Sequence, residues 1–124
     1  MNEKPKILYV DDEEINLLLF EINFRKKYHI TTALDGLKGL EILEANPEIL
    51  IVISDMRMPK LNGIEFIKLA KERYPDKRFF ILTGFEITEE IQSALKSGLI
   101  LRYFKKPFDI IEIDSALNQV INKK

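Results

Sequence analysis

Short apolar runs alternate with amphipathic segments along the chain, and this alternation predicts its secondary structure. Five runs are rich in apolar, aromatic or β-branched residues and end at polar positions, which is typical of strands. They cover residues 7–10, 29–33, 49–53, 79–82 and 99–104. The run 49–53 is apolar at every position, as expected of a strand covered on both faces in a parallel sheet. The run 29–33 contains two threonines and fits an edge strand.

Five amphipathic segments alternate with these strands and predict helices. The predicted helices cover residues 13–27, 35–45, 64–74, 88–98 and 108–121. Asp35 and Thr88 are suitable N-caps, and Gly98 is a suitable end for the fourth helix. Asn62 and Gly63 end the loop before the third helix.

Two of these helices carry more apolar residues than a single stripe requires. In the first helix, we expect one set at helical spacing to face the core: Ile15, Leu18, Leu19 and Ile22. Leu17, Phe20 and Phe24 widen its apolar side, which fits either a broad core contact or a docking surface. In the last helix, Ile111 lies beside the expected core stripe of Ile110, Ile113, Leu117 and Ile121.

The alternation of five strands with five helices also predicts the architecture. It favours an α/β fold with an open, doubly wound parallel sheet and helices on both faces. Right-handed crossovers are expected between successive strands. In such sheets, ligands bind beyond the carboxyl ends of the strands. The residues at those ends are therefore the first candidates for function.

Composition narrows the classes of chemistry. The chain has 124 residues, which fits a single domain over 1–124. It contains no cysteine, which excludes disulfides, thiolate zinc sites and thiol catalysis. His29 is its one histidine, so a site with several histidine ligands is excluded.

Charge and hydropathy bear on partners and location. The formal net charge is −1, so no basic field favours direct binding of nucleic acid. No apolar run is long enough to span a membrane, and the N-terminus does not resemble a signal peptide. A cytoplasmic location is therefore expected. The chain ends shortly after the last predicted helix, which fits either a stand-alone domain or a piece of a longer protein.

Polar residues follow four of the predicted strands. Asp11 and Asp12 follow the first strand, Asp55 the third, Thr83 the fourth and Lys106 the fifth. The fold should bring these three carboxylates, one hydroxyl and one ammonium to a single edge of the sheet.

This set of groups suggests phosphoryl transfer. Clustered carboxylates repel one another unless a cation lies among them, and oxygen-only ligands suit Mg²⁺. An ammonium and a hydroxyl near that cation could bind the oxygens of a phosphoryl group. A central carboxylate can itself act as the nucleophile. Each group alone also has an ordinary explanation: acids favour helix starts, and a lysine is usually a solvated surface charge.

Four segments in this order resemble the response-regulator receiver domains of two-component signalling. They are Leu8-Tyr9-Val10-Asp11-Asp12-Glu13, Ser54-Asp55-Met56-Arg57-Met58-Pro59, Leu82-Thr83-Gly84 and Tyr103-Phe104-Lys105-Lys106-Pro107-Phe108. The resemblance covers about residues 5–122. It implies a flavodoxin-like (βα)5 fold with strand order 2-1-3-4-5.

The resemblance also implies a role for each matching residue. Asp55 would be the phosphoacceptor, and Lys106 would hold a phosphoryl oxygen. Asp12, Asp55 and the carbonyl of Arg57 would bind Mg²⁺ directly, whereas Asp11 would act mainly through a bound water. Further implied features are a switch formed by Thr83 and Tyr103, a cis Lys106–Pro107 bond, and Arg57 and Phe85 beside the phosphoryl group. Tyr103 could instead be ordinary edge-strand packing.

The implied partner is a histidine kinase or a histidine phosphotransfer protein. The domain itself would not be an enzyme, beyond its own phosphorylation and dephosphorylation. Phosphorylation would change the surface of the fourth helix, fifth strand and fifth helix, through which a homodimer could also form. Alternatives are a phosphatase of the haloacid-dehalogenase type, a flavin-binding flavodoxin and a scaffolding receiver that is not phosphorylated. The acidic segment after the first strand fits neither the phosphatase motif nor a flavin phosphate loop.

Overall fold

The computed structural model of the chain describes residues 4–84 and 86–122. Within them, five strands alternate with five helices. The strands are β1 (Lys6–Val10), β2 (His29–Ala33), β3 (Ile51–Asp55), β4 (Arg78–Thr83) and β5 (Arg102–Lys105). The helices are α1 (Glu14–Phe24), α2 (Gly36–Ala45), α3 (Gly63–Arg73), α4 (Glu89–Ser97) and α5 (Ile110–Ile121).

The strands form one parallel sheet in the order β2-β1-β3-β4-β5, which confirms the predicted architecture. Its register decides what meets at the carboxyl edge. Val10 pairs with Ser54, so the residues that follow them, Asp11 and Asp55, emerge side by side. Asp55 pairs with Leu82, which brings Thr83 to the same edge.

Each face of the sheet has its own hydrophobic core. On one face, residues such as Val52 and Ile81 pack with α2, α3 and α4. On the other, residues such as Ile53 and Phe104 pack with α1 and α5. The central strand β3 is buried at all five positions, but it covers Ile51–Asp55 rather than the predicted run 49–53, in which Leu50 is 39% exposed. No helix among the described residues is long and apolar enough to cross a bilayer.

The predicted core stripe of α1 is wrong. Ile15, Leu18, Leu19 and Ile22 are between 44% and 59% exposed. The helix instead buries the residues beside that stripe: Leu17, Phe20 and Phe24. Its apolar residues surround most of the helix, and the larger aromatic rings gain more from burial than the aliphatic side chains do. Phe20 stacks on Tyr9 of β1 with ring centroids 4.4 Å apart, which determines the face that turns inward.

The predicted stripe of α5 is partly wrong as well. Ile113 and Leu117 are buried, but Ile110 is 44% exposed. Ile111, which lay beside the stripe, is 81% exposed. The helix begins at Ile110 because the Asp109 side chain accepts hydrogen bonds from two amides of the first turn.

Local hydrogen bonds explain the boundaries of α2, α4 and β5. Asp35 and Thr88 cap α2 and α4 as predicted, and Gly98 ends α4 in the left-handed conformation with φ 82°. Strand β5 begins later than the apolar run because the amides of Leu99 and Ile100 still bond to a carbonyl of α4.

Candidate functional site

Three carboxylates meet at the carboxyl edge of the sheet. Asp11 and Asp12 follow β1, and Asp55 is the last residue of β3. Each contributes a carboxylate oxygen, and these oxygens all lie within 4.8 Å of one another. Asp11 and Asp55 are buried, whereas Asp12 is exposed. The predicted acidic cluster is therefore present, with one carboxylate open to solvent.

Asp11 is fully buried and is held from both sides. Its Oδ1 accepts hydrogen bonds from the amide of Glu13 at 3.0 Å and from Asn16 Nδ2 at 3.4 Å. Its Oδ2 accepts hydrogen bonds from the Tyr9 hydroxyl at 2.7 Å and from Lys106 Nζ at 2.9 Å. Four donors among the described residues nearly fill the lone-pair positions of this carboxylate. Asp11 is thus a carboxylate held in a fixed position at the site.

Tyr9 is a site residue that the sequence did not indicate. Its position in a buried strand is typical of core packing, and its ring is 1% exposed. However, Tyr9 precedes Asp11 by two residues, so both side chains lie on the same face of the chain. Burial, followed by the charge of Asp11, raises the pKa of the Tyr9 phenol. The phenol is therefore a hydroxyl donor at physiological pH.

Lys106 bridges the two buried carboxylates. Its Nζ lies 2.9 Å from Oδ2 of Asp11 and 3.3 Å from Oδ1 of Asp55. Burial opposes the charge of this ammonium, but the two carboxylates outweigh it and the pKa of Lys106 is raised. Its amide donates to the carbonyl of Thr83 at 2.8 Å. The Lys106–Pro107 peptide bond is cis, as the resemblance implied.

Asp55 ionises less readily than an ordinary aspartate. Its pKa is raised to about 6, mainly by burial and next by the charge of Asp11, while Lys106 opposes the shift. Repulsion by the neighbouring carboxylate contributes to the raised pKa of Asp55, but loss of hydration is the larger cause. Oδ1 of Asp55 also accepts a hydrogen bond from the Met56 amide at 2.9 Å.

The other predicted site residues lie around this centre. Thr83 is buried at the end of β4. Tyr103 is half-buried on β5, pairs with Ile81 and packs against the core beneath α4. Arg57 is exposed in the loop after β3. Phe85, which we expected beside the phosphoryl group, lies outside the described residues.

The donor set fits a hard divalent cation. It consists of carboxylate oxygens at one edge, with Asp12 exposed and able to reorient. Asp11 already accepts four hydrogen bonds. Asp11 is therefore better suited to hold a water bound to the metal than to bind the ion directly. That water would replace one of the four hydrogen-bond donors.

A groove beside this edge separates α1 from the loop before α5. It has a volume of about 300 Å³ and is lined by Tyr9, Asn16, Leu19, Asn23, Lys106, Pro107, Phe108 and Ile110. Leu19 is one of the exposed apolar residues of α1. Together with Pro107, Phe108 and Ile110, it gives the groove beside the site an apolar part.

Comparison with known protein families identifies the family to which the chain belongs. The model of the response regulator receiver domain matches residues 7–118. The chain belongs to the response regulator receiver family. The receiver family is distinct from the haloacid-dehalogenase phosphatases and the flavodoxins, the two other families considered. Receiver domains act in two-component signalling, accept phosphoryl groups from histidine kinases or phosphotransfer proteins, and bind Mg²⁺ at an acidic pocket.

Individual proteins resemble this receiver over nearly their whole length. It is 36% identical over 126 residues to sporulation initiation phosphotransferase F of Bacillus subtilis, covering 100% of this chain and 98% of the relative. It is 34% identical to the probable chemotaxis protein CheY of Rhizobium etli, covering 95% and 93%. A crystal structure of a response regulator receiver domain protein from Clostridium thermocellum superposes with a TM-score of 0.89 at 32% identity, covering 95% of this chain and 94% of that one.

Proposed function

We propose that this chain is a single receiver domain over residues 1–124 that accepts a phosphoryl group on Asp55 from a phosphorylated histidine of a partner protein. The observation that carries this proposal is the setting of Asp55: a buried carboxylate beside Asp11 and Asp12, with the Lys106 ammonium 3.3 Å from its Oδ1. The domain has no other enzymatic role in this proposal.

In the proposed step, an oxygen of Asp55 attacks the phosphorus of the phosphohistidine. The new bond is a P–O bond, and the P–N bond to the imidazole breaks. The electron pair of the broken bond stays on the imidazole nitrogen, which takes up a proton. Lys106 turns to an oxygen of the transferred group and compensates its charge.

The acidic residues would hold Mg²⁺ at this site. Asp12 and Asp55 would supply carboxylate ligands, the carbonyl of Arg57 would supply a third ligand, and Asp11 would act through a bound water. When bound, the cation neutralises charge on the phosphoryl oxygens. Without it, the three carboxylates repel the incoming anion.

Thr83 and Tyr103 would transmit the change to the surface. Thr83 lies at the end of β4, and its hydroxyl would bind a phosphoryl oxygen. Tyr103 packs against the core beneath α4, and its ring would turn inward as Thr83 moves. The surface of α4, β5 and α5 would then change, and it is the surface we propose for a homodimer or a target. Amide hydrogen exchange with and without beryllofluoride should show altered protection there, rather than only in the loop after Asp55.

A small phosphodonor tests the chemistry directly. With Mg²⁺ and acetyl phosphate, intact-mass spectrometry should show one added phosphoryl group. Asp55→Asn and removal of Mg²⁺ should each abolish it, whereas Asp35→Asn, an acidic helix cap behind β2, should leave it unchanged. An adduct that persists in Asp55→Asn would contradict the assignment. No adduct in the native chain would favour a scaffolding receiver.

The exposed apolar face of α1 is the surface we propose for docking the donor protein. Ile15, Leu18, Leu19 and Ile22 are exposed on α1, and Leu19 also lines the groove that borders Lys106. Leu18→Ala and Ile22→Ala should slow transfer from a phosphorylated histidine protein but not from acetyl phosphate, which needs no docking surface. Leu69→Ala, at a similarly exposed leucine on α3, is the matched control and should affect neither reaction.

A further inference from the structure

Tyr9 and Lys106 donate to the same oxygen of a buried carboxylate. The Tyr9 hydroxyl lies 2.7 Å from Oδ2 of Asp11, and Lys106 Nζ lies 2.9 Å from that atom. Asp11 is 0% exposed, so bulk water does not reach this oxygen in the folded protein. A donor that leaves Oδ2 is therefore costly to replace.

The aromatic core fixes the direction in which the Tyr9 hydroxyl points. The ring of Tyr9 stacks on Phe20 at 4.4 Å, and Phe20 in turn contacts Phe24 at 4.5 Å and Phe108 at 5.7 Å. These rings connect β1, α1 and the segment that follows Lys106. The hydroxyl is consequently a preorganised donor, whereas Lys106 has a flexible side chain that can change partner.

We propose that Tyr9 is a positioning residue for phosphoryl transfer: its hydroxyl keeps Oδ2 of Asp11 hydrogen-bonded while Lys106 moves from Asp11 to the phosphoryl oxygen. This inference rests on the proposed function. Without Tyr9, Lys106 is the remaining side-chain donor to Oδ2 among the described residues, and Asp11 holds it more tightly. Tyr9 thus lowers the cost of releasing the ammonium to the incoming group.

Tyr9→Phe tests the role because it removes the hydroxyl and keeps the ring. Phosphorylation of Asp55 by acetyl phosphate should become about tenfold slower, which is the rate equivalent of one net hydrogen bond to a charged group. The rate is measured by intact mass at saturating Mg²⁺.

Tyr28→Phe is the matched control. Tyr28 is also buried, and its hydroxyl donates to a carboxylate, Asp114, at 2.6 Å. That pair joins the segment between α1 and β2 to α5, whereas Lys106 follows β5. Tyr28→Phe should change stability but not the phosphorylation rate.

A second readout needs neither metal nor phosphodonor. The ammonium of Lys106 is followed by ¹⁵N NMR in metal-free protein, through its internal motion and its hydrogen exchange with water. Tyr9→Phe should restrict this motion and slow the exchange, because Asp11 then binds Lys106 more strongly. Tyr28→Phe should leave both unchanged.

The outcomes separate the two proposals. A slower reaction together with a more restricted Lys106 in Tyr9→Phe supports the positioning role. An unchanged rate, an unchanged Lys106 signal, or equal slowing in Tyr28→Phe overturns it. If the native chain takes up no phosphoryl group, the proposed function fails, and the NMR comparison alone decides whether Tyr9 controls the hold of Asp11 on Lys106.

Discussion

The ammonium of Lys106 lies 2.9 Å from Oδ2 of Asp11 and is closer to this carboxylate than to Asp55, at 3.3 Å. One cation is therefore shared between two buried anions before any phosphoryl group arrives. This sharing holds the two strand ends, after β1 and at the end of β3, against the end of β5. It also means that Lys106 contributes to stability as well as to the proposed chemistry.

Replacing Lys106 by methionine should destabilise the metal-free protein at neutral pH. The change keeps the length of the side chain but leaves Asp11 and Asp55 without their ammonium. Because the Lys106 side chain is 21% exposed, we expect a loss of about 1–3 kcal/mol, below the full cost of breaking a buried pair. Urea unfolding at pH 7.5 measures it, and Lys105→Met, at the exposed neighbour, is the control. Equal effects of the two substitutions would show that the ion pairs of Lys106 contribute nothing.

The raised pKa of Asp55 predicts a specific pH dependence of stability. The folded-state pKa is about 6, against an ordinary value of 3.8. The folded protein therefore binds this proton more tightly than the unfolded chain does. The stabilising contribution is complete below about pH 4 and is lost as pH rises through about 6. At pH 7, the ionised carboxylate costs up to about 3 kcal/mol in metal-free protein.

Asp55→Asn should therefore raise the melting temperature of metal-free protein at pH 7 and flatten the pH dependence between 4 and 6. Mg²⁺ well above its dissociation constant should stabilise the native chain by about 1–3 kcal/mol and the variant by less. Thermal unfolding with and without Mg²⁺ measures both effects. A variant that melts below the native protein and keeps the full Mg²⁺ response would contradict a shared site.

Asp114→Asn is the control of opposite sign. Hydrogen bonds from Lys27 and Tyr28 lower the pKa of Asp114, so its contribution is present at neutral pH and lost as pH falls. This substitution should destabilise the protein at pH 7, with a smaller effect at low pH and no change in the Mg²⁺ response.

The alternation of strands and helices along the chain predicted the parallel sheet and its acidic edge, and the resemblance to receiver domains implied the strand order. The carboxyl ends of parallel strands lie at one edge of the sheet, so Asp11, Asp55 and Lys106 were expected at that edge once the strands were identified. Periodicity could not orient α1, because apolar residues occur around most of that helix. The face was decided by a contact distant in sequence, the stacking of Phe20 on Tyr9.

The role of Tyr9 could not be derived from the sequence for a related reason. A tyrosine in an apolar strand is usually a core residue, and Tyr9 is one by burial. Tyr9 differs from such a residue in its 2.7 Å hydrogen bond to Asp11. This bond requires the carboxylate of Asp11 to be directed back toward β1. Lys106 and Asn16, from other elements, hold it there.

The corrected orientation of α1 predicts which of its residues support the fold. Phe20→Ala should cost about 3–5 kcal/mol, because it removes a fully buried ring that stacks on Tyr9. Leu18→Ala should change stability by no more than about 0.5 kcal/mol, because its side chain is 51% exposed. Urea unfolding of both variants measures the difference. Comparable losses of stability in the two variants would support the helix orientation expected from periodicity instead.

Gly63 is predicted to be the position next to the site that least tolerates a side chain. A Cβ there would lie 2.3 Å from the carbonyl oxygen of Asp55 and 2.8 Å from Cδ1 of Ile81. The backbone carbonyl of Asp55 cannot rotate away from a new Cβ as a side chain can. Gly63→Ala should therefore lower the free energy of unfolding by about 1–3 kcal/mol or more. It should also slow phosphorylation of Asp55, because it moves the end of β3. Gly84→Ala is the matched control near the same edge, since among the described residues its Cβ would meet only the side chain of Lys106, at 3.6 Å.

Ile81→Val separates the two contacts that oppose a side chain at position 63. It removes Cδ1 and leaves the carbonyl of Asp55 in place. Because the carbonyl contact is the shorter, adding Ile81→Val to Gly63→Ala should recover little of the lost stability, as measured by urea unfolding of the single and double variants. Full recovery would show that Gly63 makes room for Ile81 and that the strand end carrying Asp55 does not depend on it.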